Sequence, residues 1–200
     1  MPDVFFRGVK GSDLVPLAEM INSEWKFDIY SKENGLKMAM HYLLICIDGS
    51  NAARVLEVEG KTAGIIVVSD MDGPKIDMSA ERDRLLAEMS GDPGLEDYQN
   101  DFKALYGTYS EFAERHKCPD WSELKLLILS NQIRGGGLGR KMMEEAKAIS
   151  RSFGMKGLFF YTDNDCNTGF YDHIGAVRTD SKRISLMGEE LDVFGYSYVF

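Results

Sequence analysis

The 200-residue sequence predicts an α/β fold closed as one domain over residues 1–200. Three features point to it. Apolar runs of strand length alternate with segments whose apolar residues recur every three or four positions. Residues 54–68 hold two apolar-rich runs on either side of Glu59-Gly60-Lys61, the pattern of an antiparallel hairpin. A further apolar run leads straight into a glycine cluster and then into a strongly amphipathic segment, as a strand, a tight turn and a helix would.

Taken in order, Val4-Phe5-Phe6-Arg7 is the first strand, and Gly11-Ser12-Asp13 offers capping oxygens to a helix carrying Leu14, Leu17, Met20 and Ile21. A second helix runs from about Glu33 to Ile45 with Leu36, Met40, Leu43 and Leu44 on one face. The hairpin pairs Arg54–Val58 with Thr62–Val68 and ends at Asp70–Gly73. Residues of about 71–120 read as a helical insertion: two helices, about 79–89 and 95–116, are separated by the breaker Gly91-Asp92-Pro93-Gly94. Leu124–Leu129 is a buried strand; the helix after it carries Leu138, Met142, Ala146, Ile149 and Phe153 and stops at Gly154. Gly157–Tyr161 is a strand, Thr168–His173 a short helix, and Glu190–Phe200 the final strand or strands.

Composition narrows the function. With 44% apolar residues the chain closes one sizeable core, but hardly two. The net charge of -9 repels a phosphate backbone, so no nucleic-acid partner is expected and cationic partners fit better. The apolar runs fall far short of the ~20 residues a bilayer span needs, so no membrane partner and a cytoplasmic location are expected. Cys46, Cys118 and Cys166 lack CxxC spacing and there are only three histidines, so no metal site is expected.

The chemistry concentrates at Arg134-Gly135-Gly136-Gly137-Leu138-Gly139. Glycines at the start of a helix expose unsatisfied N–H groups at the positive end of its dipole, which attracts an anion. A pyrophosphate would sit on the amides of Gly135 to Arg140, with the charges of Arg134 and Arg140 nearby. Spacing excludes a GxGxxG dinucleotide motif, because Arg140 or Met142 stands where the third glycine belongs, and no GK[ST] follows for a P-loop. A tight strand-to-helix turn without a ligand is the alternative at this stage.

Arg134-x-x-Gly137-x-Gly139 after an apolar strand resembles the acetyl-CoA signature of the GNAT superfamily of N-acetyltransferases. Downstream, Asn164, Phe170-Tyr171 and Ile174-Gly175 are similar to the late motif of that family, with Ala176 where a Phe is usual. The resemblance covers nearly the whole chain except the insertion. It implies a central mixed sheet flanked by helices, with the helical insertion between strands 3 and 4, acetyl-CoA as cofactor, and transfer of its acetyl group to an amine of a small molecule or protein by direct attack in a ternary complex. A non-catalytic acyl-CoA-binding or sensing module is the competing reading, and retention of Tyr171 argues for activity.

By the same resemblance Tyr171 is the general acid beside the CoA sulfur, a role its ordinary pKa of ~10 allows because the O–H stays protonated at neutral pH. Asn164 would bind the pantetheine or phosphate part of the cofactor, or cap the short helix. Leu127, Ile128 and Leu129 would offer backbone groups to the pantetheine as a pseudo-strand, with the Leu129 N–H on the thioester carbonyl. Glu123 is the candidate general base, against the alternative of a salt-bridged residue at a strand end; Phe159 fills the other family position for a carboxylate. His116 and His173 are further candidates that read as surface residues. The acceptor pocket of the family borders the first two helices and strands 3 and 4. Acidic residues crowd 70–101, which would concentrate a cationic amine if that stretch lines the pocket; an acidic solvated helix face is the alternative. Tyr98, Phe102, Leu105, Tyr106, Tyr109 and Phe112 read as core packing, whereas Trp25, Phe27 and Tyr30 are candidates for the acceptor side. A homodimer is compatible with the sequence.

Overall fold

The computed structural model describes residues 3–116, 118–133, 135–186 and 188–200. Its strands are β1 (Val4–Gly8), β2 (Ala52–Val58), β3 (Lys61–Ser69), β4 (Trp121–Leu129), β5 (Gly157–Asp163), β6 (Val177–Leu186) and β7 (Glu189–Val199). They form one sheet in the order β1-β2-β3-β4-β5-β7-β6, in which β4 and β5 run parallel and every other pair is antiparallel. The β2–β3 hairpin turns on Glu59 at φ 51° and Gly60 at φ 77°, the two left-handed residues that a tight two-residue turn matching strand twist requires.

The sheet is covered on both faces, which is why Ile65–Val68 in β3 is a continuous apolar run rather than an alternating one. On one face α1 (Leu14–Trp25) and α2 (Gly35–Ile47) bury Leu17, Ile21, Met38, Leu43 and Ile47 against Val55, Ile65 and Val67. On the other, α5 (Leu138–Ser152) buries Met142, Met143, Ala146 and Ile149 against Ile66, Val68, Leu158 and Phe160. Phe153, expected on this stripe, lies just past the helix and is exposed, and Gly154 at φ 78° turns the chain away.

Two readings of the sequence need correction. Residues 11–13 form a single 3-10 turn, and Asp13 does not cap α1. Its buried carboxylate accepts hydrogen bonds from the Arg7 guanidinium at 2.6 and 2.8 Å, the Lys10 N–H at 2.7 Å and the Thr62 hydroxyl at 2.6 Å, joining β1 to β3. β6 was not predicted at all. It is an edge strand, largely exposed and rich in Arg178, Asp180, Lys182 and Arg183, so it lacks the apolar alternation that marks a half-buried strand.

Between β3 and β4 stand α3 (Ser79–Glu88) and α4 (Leu95–His116). The breaker before α4 is a docking point. A Cβ at Gly94 would lie 1.9 Å from the Tyr30 carbonyl oxygen, so only glycine lets this loop touch the α1–α2 connection. Asp92 fixes it by accepting from Ser31 Oγ at 2.6 Å and Asn34 Nδ2 at 2.7 Å. At the far end of α4, Arg115 reaches Asp180 of β6 at 3.0 Å and Lys182 of β6 pairs with Glu111. A short helix, α6 (Thr168–Ile174), follows β5, its first turn capped by Asn167 Oδ1 accepting the Phe170 N–H.

Candidate functional site

A gap between β4 and β5 creates the site. The two strands pair only over Trp121–Glu123 and Gly157–Phe159, after which they diverge. On its other side β4 stays paired to β3, but the register shifts between Val67 and Val68, leaving Lys125 as an extra residue in a β-bulge. The bulge changes which face each side chain takes. Leu124 joins the core under α5, whereas Leu126 and Ile128 join the core under α1 and α2. Ser130 donates its N–H to Ala63 O at 2.9 Å, and antiparallel alternation then turns the Ile128 and Leu126 backbone toward β3 as well. The backbone groups of Leu127 and Leu129 face the gap. Of the three pseudo-strand residues expected from the sequence, Ile128 therefore has its amide engaged with β3, and its side chain is buried.

The gap opens into a cleft of about 580 Å³. Glu123 and Leu127 of β4, Tyr161 to Asp163 of β5 and Tyr171 of α6 line it, with α4 as its roof. Tyr171 packs its ring 4.7 Å from Phe160 and 5.7 Å from Tyr196. Its hydroxyl has no hydrogen-bond partner among the described residues. Burial, and then the nearby Cys166 and Asp163, push its pKa well above the ordinary tyrosine value. The same burial raises the Cys166 thiol to about 12 and the Cys46 thiol to about 11, so neither is a thiolate at neutral pH. Glu123 sits at the last paired position of β4, opposite Phe159, where the cleft begins. Its charge is felt by Tyr161, whose pKa is raised first by burial and next by Glu123.

The glycine turn lies beyond the end of β4, ahead of α5. Gly135, Gly136 and Gly137 have φ of 108°, 57° and 76°, three successive conformations that L side chains rarely adopt. Nothing lies within 4 Å of a Cβ built on any of them, so this backbone faces open space. The N–H groups of Gly139 and Arg140 have no acceptor among the described residues, as expected in the first turn of a helix. Leu138 begins α5 and is partly buried. Arg134 lies outside the described residues. Gly139 has a packing role: its missing Cβ would meet the Phe170 ring at 3.3 Å, so the start of α5 and the helix bearing Tyr171 are in contact.

Asn164 does not cap α6. Its Oδ1 accepts the Asp192 N–H at 2.7 Å and its own N–H donates to Asp192 O at 3.0 Å, clamping the end of β5 to β7. His116 pairs with Asp180 on β6, and His173 is exposed on α6. Two features of the cleft escaped the sequence. Phe102, Tyr106 and Tyr109 of α4 line it rather than serving only as core, alongside Trp25, Phe27 and Tyr30. Its carboxylates come from Glu24, Asp101, Glu123, Asp163, Asp165, Glu189 and Glu190, so of the acidic run 70–101 only Asp101 reaches it. The aromatic spacing of α4 was the available signal; the gathering of acids from five distant segments had none.

No protein-family model matches the sequence, and no curated protein does. Solved structures do match. A GCN5-related N-acetyltransferase from Rhodopseudomonas palustris superposes with a TM-score of 0.55 at 13% identity, covering 100% of this chain and 96% of that one. The acetyltransferase of GNAT family from Streptococcus pneumoniae gives 0.53 at 14% identity over 99% and 100%. The yncA structure from Salmonella typhimurium, solved with its cofactor acetyl-CoA, gives 0.53 at 13% identity over 98% and 93%. With its seven-stranded mixed sheet, flanking helices and β4–β5 gap, the chain has the GNAT acetyltransferase fold.

Proposed function

We propose that the protein is an acetyl-CoA-dependent N-acetyltransferase acting on an amine. The observation that carries the reading is the β4–β5 gap, which places Leu127 of β4 in the same cleft as Tyr171, whose hydroxyl has no partner among the described residues. The residues fit acetyl-CoA, which supplies the acetyl group as an activated thioester. Of the backbone amides from Gly135 to Arg140, that of Leu138 donates to Gly135 O at 3.3 Å, and the others suit its pyrophosphate, with Arg134 and Arg140 adding positive charge. The gap-facing groups of Leu127 and Leu129 suit the amides of its pantetheine arm.

Each chain group then has a task. The Leu129 N–H donates to the thioester carbonyl oxygen, where negative charge develops. Glu123 accepts a proton from the attacking ammonium, directly or through water, so that nitrogen presents a lone pair. Tyr171, protonated at neutral pH, donates from Oη to the departing sulfur. Asn164 acts indirectly by holding the β5 end that forms the cleft wall.

Release of CoA from acetyl-CoA with a panel of amines tests the reading, comparing the native protein with Tyr171→Phe. Turnover is expected to fall by about 10²-fold or more in the variant, with acetyl-CoA affinity unchanged. Tight acetyl-CoA binding without turnover of any amine would instead indicate an acyl-CoA-sensing module.

A further inference from the structure

We infer that the acceptor side of the cleft selects a small arylalkyl monoamine in its ammonium form, a substrate class that rests on the acetyltransferase reading. Aromatic faces dominate the wall opposite the gap. The Tyr42 and Phe102 rings lie 6.0 Å apart, Phe102 stacks on Tyr106 at 4.2 Å, and Tyr109 stacks on Tyr161 at 4.5 Å with 10° between the planes. Flat rings at this density offer contact area to another flat ring, and their faces attract a cation. The hydroxyls of an aminosugar would be desolvated against such faces without partners.

Carboxylates supply the second half of the recognition. Asp101 projects from the roof, holding the Tyr30 hydroxyl at 3.0 Å, and Glu123 stands at the floor where β4 and β5 part. Of the two lysines in the lining, Lys125 turns its ammonium away onto the Ile45 and Asp48 carbonyl oxygens at 3.3 and 3.1 Å, leaving Lys26 as the other cation. The roof formed by α4 and a volume of about 580 Å³ suit a small molecule better than a side chain presented on a folded protein surface.

Calorimetric titration of the full chain with 2-phenylethylamine, 2-phenylethanol and spermidine separates this proposal from the activity. 2-Phenylethylamine is expected to bind about tenfold or more tightly than either of the others, the alcohol lacking the charge and the polyamine the ring. Phe102→Leu is expected to weaken it about fivefold, and Asp101→Asn about tenfold, with acetyl-CoA affinity unchanged in both; circular dichroism confirms that each variant is folded. Spermidine binding as tightly as 2-phenylethylamine, or loss of neither variant's affinity, overturns the proposal. Selective 2-phenylethylamine binding without acetyl transfer upholds the pocket and rejects the enzymatic reading.

Discussion

At the scale of single residues, burial and long-range partners decide behaviour that composition leaves open. His41 is 5% exposed; its Nδ1 lies 2.7 Å from the Tyr98 hydroxyl and its Nε2 has no partner among the described residues. Desolvation, then the Arg82 charge, lowers its pKa to about 4. Because the folded-state value lies below the unfolded value of ~6.5, this neutral imidazole contributes stability above pH ~6.5 that is lost as pH falls toward 4. Thermal midpoints of native protein and His41→Phe measured from pH 7 to 4 are expected to converge, since the variant lacks this linkage. Asp13 behaves similarly at lower pH. Its hydrogen bonds to Arg7 hold its carboxyl far below the carboxylate range, so its contribution persists until strong acid. Asp13→Asn leaves the Arg7 guanidinium, 17% exposed, with Glu57 as its remaining carboxylate partner and should cost about 2 kcal/mol in denaturant unfolding. None of this was legible from the chain: an Asp before an apolar-periodic helix reads as a cap, and only the tertiary fold brings Arg7 and Thr62 to it.

At the scale of elements, legibility followed periodicity. The limits of α4, Leu95–His116, coincide with its aromatic repeat and the breaker before it, and the β2–β3 hairpin follows from Glu59-Gly60 between apolar runs. β4 begins three residues earlier than its apolar run, because Trp121 to Glu123 pair with β5 through backbone groups that composition does not report. β6 stayed hidden because an exposed edge has no reason to alternate. The turn before α5 was legible as chemistry but not as geometry. Gly137→Val would place a β-branched side chain at φ 76°; loss of at least tenfold in acetyl-CoA affinity is expected, measured calorimetrically on folded protein. In α5 itself, Met142 is fully buried beneath β3, and Met142→Ala should destabilise by about 2–5 kcal/mol in urea unfolding.

At the scale of the whole molecule, the candidate site was legible as two motifs but not as one place. Tyr171 and Glu123 are 48 positions apart, and their meeting in one cleft depends on the divergence of β4 from β5. That divergence also has a mechanical side. A sheet joined across its middle by three residue pairs resembles two plates, β1 to β4 with α1 and α2 on one and β5 to β7 on the other, with α5 packed across both on the opposite face. Helix α4 is a cross-brace: its start is bolted to the α1–α2 connection through Gly94 and Asp101 and to α2 through Tyr98, and its last turn to β6 through Arg115 and Asp180. Removing the far bolts with Asp180→Ala and Lys182→Ala together should raise amide hydrogen exchange along residues 126–129 and 160–163 together while sparing β1 and β2. Helix α4, which interrupts the sequence between β3 and β4, thus braces the divided sheet on the face opposite α5.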